Sequence, residues 1–280
     1  MLTIFTTFKP FTDSHIKTIQ RNALQSWLLL RPRPEVIVFG NDQGVKEVAK
    51  EFGVLHVPKI ETKQGLPLIS SLFMQAQRIA KFPLLCYTNG DIIFMQDVIS
   101  AINAIFTNAK QFLAVGRRYD YALTEALDFT GDWQKRLQQG VASKSALHGY
   151  SGIDYFIFPK GLYRDIPPLV VGRGGWDNWM IYSVRKQGIA VIDITQATTV
   201  VHQEHDAPYT RQYAARFSDE LAQTNLGLAG GYGNLLTIRD ASFLLTKNGL
   251  KRNLKGIASL TYPVRLLFSV KRYLQHVWKH

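Results

Sequence analysis

The sequence predicts an α/β fold: a Rossmann-like mixed sheet flanked by helices, with a basic helical extension at its C-terminal end. Three observations carry this expectation. Strand-like and helix-like segments alternate from the first residue, the strands are mostly short apolar runs, and their ends carry polar or charged residues. Wholly apolar strands belong to sheets covered on both faces, and strand-helix alternation is the pattern of βαβ units.

The elements follow in order. "LTIFTTF" reads as a first strand. A helix over 14–30 has Asp13 or Ser14 as its cap and Ile16, Ile19, Ala23 and Trp27 at helical spacing. "EVIVFG" is a second strand, 45–52 a helix, "VLHVP" a third strand, and about 68–81 a helix; "PLLCYTNGDIIF" comes next. In the second half "FLAVGRR", "GYSGIDYFIFPKG", "VIDIT" and "TTVVHQEHD" carry strands, and "GGWDNWMIYSVRKQG" a helix. The expected division is a core over 1–205, a lid or acceptor-side segment over 206–250, and a basic amphipathic helix within 251–280.

With 280 residues, 46% of them hydrophobic, the chain is long enough for a packed core and is not of disordered composition. The single cysteine, Cys86, excludes an internal disulfide and suits a reducing compartment. Its apolar neighbours make it a core thiol. "LTIFTTF" follows Met1 with no basic segment and apolar core of a signal peptide, and no run approaches a membrane span of about 18 apolar residues. A cytoplasmic location is therefore expected.

The net charge of +12 is unevenly spread. After Asp240 there is no acidic residue, while Lys247, Lys251, Arg252, Lys255, Arg265, Lys271, Arg272 and Lys279 supply eight of the excess charges. The remainder is mildly basic, so no nucleic-acid partner is expected. From Pro263 onward, Leu267, Val270, Leu274 and Val277 share a helical face opposite Arg265, Arg272 and Lys279. Such a helix fits an anionic membrane surface, here the inner face of the membrane, or docks on the domain with a solvated basic face.

"LLCYTNGDIIF" interrupts a buried run with Asn89-Gly90-Asp91. Asn-Gly is a hairpin signal, but both flanks are continuous apolar runs rather than alternating ones. That favours a buried strand ending at the rim of the sheet with Asp91 at its tip; a surface hairpin is the alternative. Ligands of open α/β sheets collect at the carboxyl ends of strands. The other early ends carry Thr6-Thr7-Phe8-Lys9 and Asn41-Asp42. There is no Gly-x-Gly-x-x-Gly fingerprint after the first strand and no Walker loop. "GLAGGYG" reads as a mobile loop.

Together these segments, over 1–205, resemble the GT-A class of nucleotide-sugar glycosyltransferases. In that class the fourth strand ends in an acidic motif, Asp-x-Asp or a variant, that holds a divalent cation against the donor diphosphate. Here "NGD" has Asn89 in place of the first acid and Asp91 as the carboxylate kept. The resemblance implies Mn²⁺ or Mg²⁺, a nucleoside diphosphate sugar as donor, and a glycan or lipid-linked acceptor. "GGWDNWMIYSVRKQG" is similar to inverting family 2 glycosyltransferases, which carry Glu-Asp at a helix start and a Gly eleven residues on. This chain has Trp176-Asp177 and Gly188. The likeness implies Asp177 as general base and hence inversion; as an isolated residue, Asp177 also suits a helix cap. Trp176 and Trp179 are either a sugar platform or core.

"VVHQEHD" places His202 where the class often has a late histidine completing the metal shell, with His205 close behind. The resemblance puts Thr6, Phe8, Asp42, Asn89, Asp91 and Arg117 on the donor side, with Asp42 contacting base or ribose or simply turning the chain. Arg118 and Arg173 are further candidates for the diphosphate charge. Asp154 is an acceptor contact or a turn residue. Two rival functions are a sugar nucleotidyltransferase and a non-catalytic binding protein of the same fold. The first would want a glycine-rich basic loop after strand one, which "TTFKPFTDSH" lacks; the missing first acid is the best support for the second.

Overall fold

The computed structural model describes residues 1–107, 109–205 and 216–259. The first half runs β1 (Leu2–Thr7), α1 (Ser14–Leu28), β2 (Glu35–Phe39), α2 (Val45–Phe52), β3 (Leu55–Val57), β4 (Thr62–Lys63), β5 (Leu66–Pro67), α3 (Ile69–Ile79), β6 (Leu84–Thr88), β7 (Ile92–Ile93) and α4 (Gln96–Phe106). Then come β8 (Phe112–Val115), β9 (Tyr119–Tyr121), α5 (Trp133–Lys144), β10 (Ala146–Leu147), β11 (Tyr155–Pro159), α6 (Trp176–Lys186), β12 (Ala190–Asp193) and β13 (Val201–Gln203). A helix at Glu220–Leu228, the hairpin of β14 (Phe243–Thr246) and β15 (Gly249–Arg252), and a short helix at Leu254–Ala258 complete the described chain.

A nine-stranded sheet has the order β15-β14-β12-β8-β11-β6-β1-β2-β3. The βαβ half pairs in parallel, β3 to β2 to β1 to β6, while β11 runs antiparallel to both β6 and β8. The sheet is therefore mixed, as expected. Its strands alternate between two cores, which is why they read as continuous apolar runs. Leu84 and Cys86 of β6 join Trp27, Val48 and Val98 on one face. Leu85 and Tyr87 join Phe73, Ala76, Trp176 and Met180 on the other. Cys86 is fully buried, and burial raises its thiol pKa, in keeping with a core thiol.

α1 begins where Asp13 accepts a hydrogen bond from the Ile16 amide at 2.8 Å, the expected cap. Its buried face centres on Trp27, whose indole donates to the Ile92 carbonyl at 2.8 Å. This bond ties α1 to a second sheet, of four very short strands ordered β10-β9-β13-β7.

Residues from the expected 206–250 segment, and across residue 250, pair with the main sheet. β14 extends the main sheet beside β12, and β15 crosses residue 250, so 243–252 belongs to the core sheet. "GLAGGYG" is not an open loop: Gly227 lies within the helix Glu220–Leu228, and a 3₁₀ turn at Tyr232–Asn234 follows. Asn225 of that helix is buried and donates to the Val170 carbonyl at 3.1 Å. The basic amphipathic helix expected from Pro263 lies outside the described residues.

Candidate active site

Asn89-Gly90-Asp91 is a turn, and not a surface hairpin. β6 ends in the main sheet, the chain turns, and β7 enters the four-stranded sheet, leaving Asp91 at the joint between the two. The turn is tight because Gly90 lies against Phe8; a Cβ there would meet the Phe8 ring at 2.6 Å. Asp91 is fixed through its backbone, its carbonyl accepting from the Gln203 amide at 3.2 Å and the Gln203 side chain at 3.0 Å. Gln203 is wholly buried and also accepts from Asn22 at 3.0 Å, so α1 supports the same joint.

The small sheet brings the late residues to this point. β13 pairs antiparallel with β7, His202 opposite Ile92, and parallel with β9, His202 opposite Asp120. His202 Nε2 is thereby 3.7 Å from Asp91 Oδ2, and His205 Nε2 is 2.8 Å from the same oxygen. Asp91, His202 and His205 offer three ligand atoms within 4.8 Å of one another. Among the described residues, Asp91 Oδ1 is buried with no hydrogen-bond partner, an oxygen open to a cation. One carboxylate and two imidazoles form a mixed oxygen and nitrogen donor set for a divalent cation. Burial opposes ionisation of Asp91, but the His202 charge and the His205 hydrogen bond outweigh it and hold the pKa at about 2. The Asp91 carboxylate is thus kept charged.

Asn89, at the place of the missing acid, is a connector. Its amide donates to Asp154 Oδ1 at 2.8 Å and its carbonyl oxygen accepts from the Tyr87 hydroxyl at 3.1 Å. Asp154 is also ion-paired with Arg118, which holds Asp120 Oδ1 through Nε at 3.0 Å.

Asp177 occupies the first turn of α6, entered through Gly175 in the left-handed region at φ 94°. The helix N-terminus favours a carboxylate there. Burial and the nearby Asp154 charge win, and push its pKa up to about 7. Its Oδ1 accepts from the Asn178 amide at 2.9 Å. Asp91, Asp154 and Asp177 all act on the phenol of Tyr87, raising its pKa beyond what burial does first. All three carboxylates thus lie within electrostatic reach of that phenol.

Other expected site residues lie elsewhere or are already engaged. Thr6 is fully buried and its hydroxyl donates to the Thr88 carbonyl at 2.6 Å, so it stitches the sheet rather than facing a donor. Phe8 is core: its ring stacks on Trp27 and meets Phe11 edge-on. Trp176, expected to be an acceptor platform, is 6% exposed and packs on Tyr87 and Phe156. Arg117 donates to the His148 and Leu147 carbonyls and lies 4.5 Å over the Tyr150 ring, while Arg173 pairs with Asp219 at 2.5 Å. Asp42 is exposed in the turn before α2, and its carbonyl accepts from Val45.

No family model matches the sequence, and no curated protein does. Solved structures match in fold. Glucosyl-3-phosphoglycerate synthase from Mycobacterium tuberculosis, determined with Mn²⁺, UDP and phosphoglyceric acid, aligns with a TM-score of 0.50 and 12% identity over 82% of this chain and 79% of that one. GalNAc-T7 with UDP, GalNAc and Mn²⁺ aligns with a TM-score of 0.51 and 13% identity over 82% of this chain. The chain spans about half of GalNAc-T7, 48%, and 36% of a S. aureus TarS segment. The fold is thus that of the GT-A glycosyltransferases. The synthase and GalNAc-T7 are two of the solved structures whose fold this chain shares.

Proposed function

We propose that the chain is a metal-dependent glycosyltransferase that moves a sugar from a nucleoside diphosphate donor to a hydroxyl of a glycan or lipid-linked acceptor. The observation that carries this reading is the gathering of Asp91, His202 and His205 into one metal-sized cluster. The Mn²⁺ and UDP in the similar structures support it. Asp91, His202 and His205 would hold a divalent cation, which would supply positive charge for the leaving diphosphate.

Asp177 is the proposed general base. A carboxylate with a pKa near 7 takes the acceptor proton more readily than one in the ordinary range. Direct attack by the acceptor oxygen on the anomeric carbon, with this proton passing to Asp177, gives inversion. Asn89, Arg118 and Asp154 brace the rim between cation and base. The basic stretch of Lys247, Lys251, Arg252 and Lys255, beside the exposed Leu254 and Ile257, supports association with an anionic membrane surface. Among the described residues no helix is long and apolar enough to cross a membrane.

The test is turnover of nucleoside diphosphate sugars with Mn²⁺, with Asp91→Asn and Asp177→Asn as controls. Free nucleoside diphosphate from the parent alone supports transfer. Pyrophosphate release would instead indicate a nucleotidyltransferase, and binding without turnover a non-catalytic protein.

A further inference from the structure

The small sheet holds one carboxylate that the reaction above does not use. Asp120 on β9 lies opposite His202 in the β9–β13 ladder, so their side chains share a face. It gathers three partners. His148 Nδ1 is 2.5 Å from Oδ2, while Arg118 Nε at 3.0 Å and His202 Nδ1 at 3.2 Å approach Oδ1. The His202 contact is off the N–H axis, an ion-pair contact rather than an aligned hydrogen bond.

The two nitrogens of His202 are thereby divided. Nδ1 faces Asp120, and Nε2 faces Asp91 Oδ2 at 3.7 Å. A neutral imidazole has one lone pair and one N–H, so a nitrogen that carries the proton cannot bind a cation. A carboxylate beside Nδ1 keeps the proton there and leaves the Nε2 lone pair for the cluster. Asp120 is itself held in place. Arg118, bonded to it, is tied to Asp154, and Asp154 to Asn89 of the turn that carries Asp91.

We propose that Asp120 is a positioning residue of the metal site, selecting the His202 tautomer and ring orientation that present Nε2 to the cation. This rests on the cluster's being a metal site, but not on which sugar, acceptor or reaction it serves.

The experiment titrates Mn²⁺ alone into the full chain and reads free Mn²⁺ by electron paramagnetic resonance, with melting curves recorded without Mn²⁺. Asp120→Asn is expected to weaken Mn²⁺ binding about 10–100-fold, as loss of a carboxylate behind a ligating histidine does. His148→Ala, which removes the other imidazole from the same carboxylate, is expected to leave the affinity nearly unchanged. In the parent loaded with ¹¹³Cd²⁺, scalar coupling is expected to the Nε2 of His202, a readout that decides the matter even if Asp120→Asn does not fold. Parent-like Mn²⁺ affinity in a folded Asp120→Asn, or cadmium coupling to Nδ1, overturns the inference and leaves the metal site standing. Failure of the parent to bind either metal overturns both.

Discussion

Asp177 is where competing effects on one side chain are best separated. The helix N-terminus favours its charge, yet burial and Asp154 outweigh that and bring its pKa to about 7. As the proposed base, it acts only when ionised, so kcat/KM is expected to rise with pH until about 7 and then level. Asp177→Asn should lower kcat by about 10²–10⁴-fold, the usual worth of general base catalysis, and abolish that rise. Stability moves the other way. Because the folded pKa lies above the ordinary carboxylate value, the folded chain binds the extra proton, and its stability falls as pH rises from about 4 to about 7. The Asn variant, which carries no charge, is expected to be more stable than the parent at pH 8 by up to about 4 kcal/mol, and the gain should vanish near pH 4. Parallel thermal melts at the two pH values check this.

The turn at Asn89-Gly90-Asp91 is where geometry can be tested at the scale of an element. Phe8 is held between Trp27 and Phe11 and cannot retreat from a methyl group on residue 90. Gly90→Ala is expected to destabilise the chain by about 1–3 kcal/mol, the cost of overpacking a filled core, measured by denaturant unfolding. The long elements were legible because they carry a period or a continuous apolar run: α2 matches its expected span, and β1, β2, β6 and β11 fall where expected. The small sheet was not, since strands of two or three residues are too short to show alternation. α5 buries only Trp133, Leu137 and Val141, about one residue per turn, which leaves its pattern faint. Asp91, His202 and Asp177 stood out because each follows or begins an apolar element. Thr6 and Phe8 misled for the same reason: their place at a strand end said nothing about which way they face. Asp120 and His148 had no local signal at all. His205 had one in the polar run "HQEHD" beside a strand end.

For the whole molecule, the GT-A fold and the rim cluster lead to a ligand-linked stability. A donor nucleotide at a hundredfold excess over its dissociation constant should add about 2.7 kcal/mol. A thermal shift that requires both a nucleoside diphosphate sugar and Mn²⁺ is the expected result, and Asp91→Asn should remove the dependence on Mn²⁺. The four-stranded sheet has a further consequence. Its strands come from residues 92–93, 119–121, 146–147 and 201–203, so the neighbours of Asp91 are supplied by stretches more than a hundred residues apart. No fragment that ends before residue 202 holds a diluted version of this centre. The centre is complete only with the segment near residue 202 seated between β9 and β7.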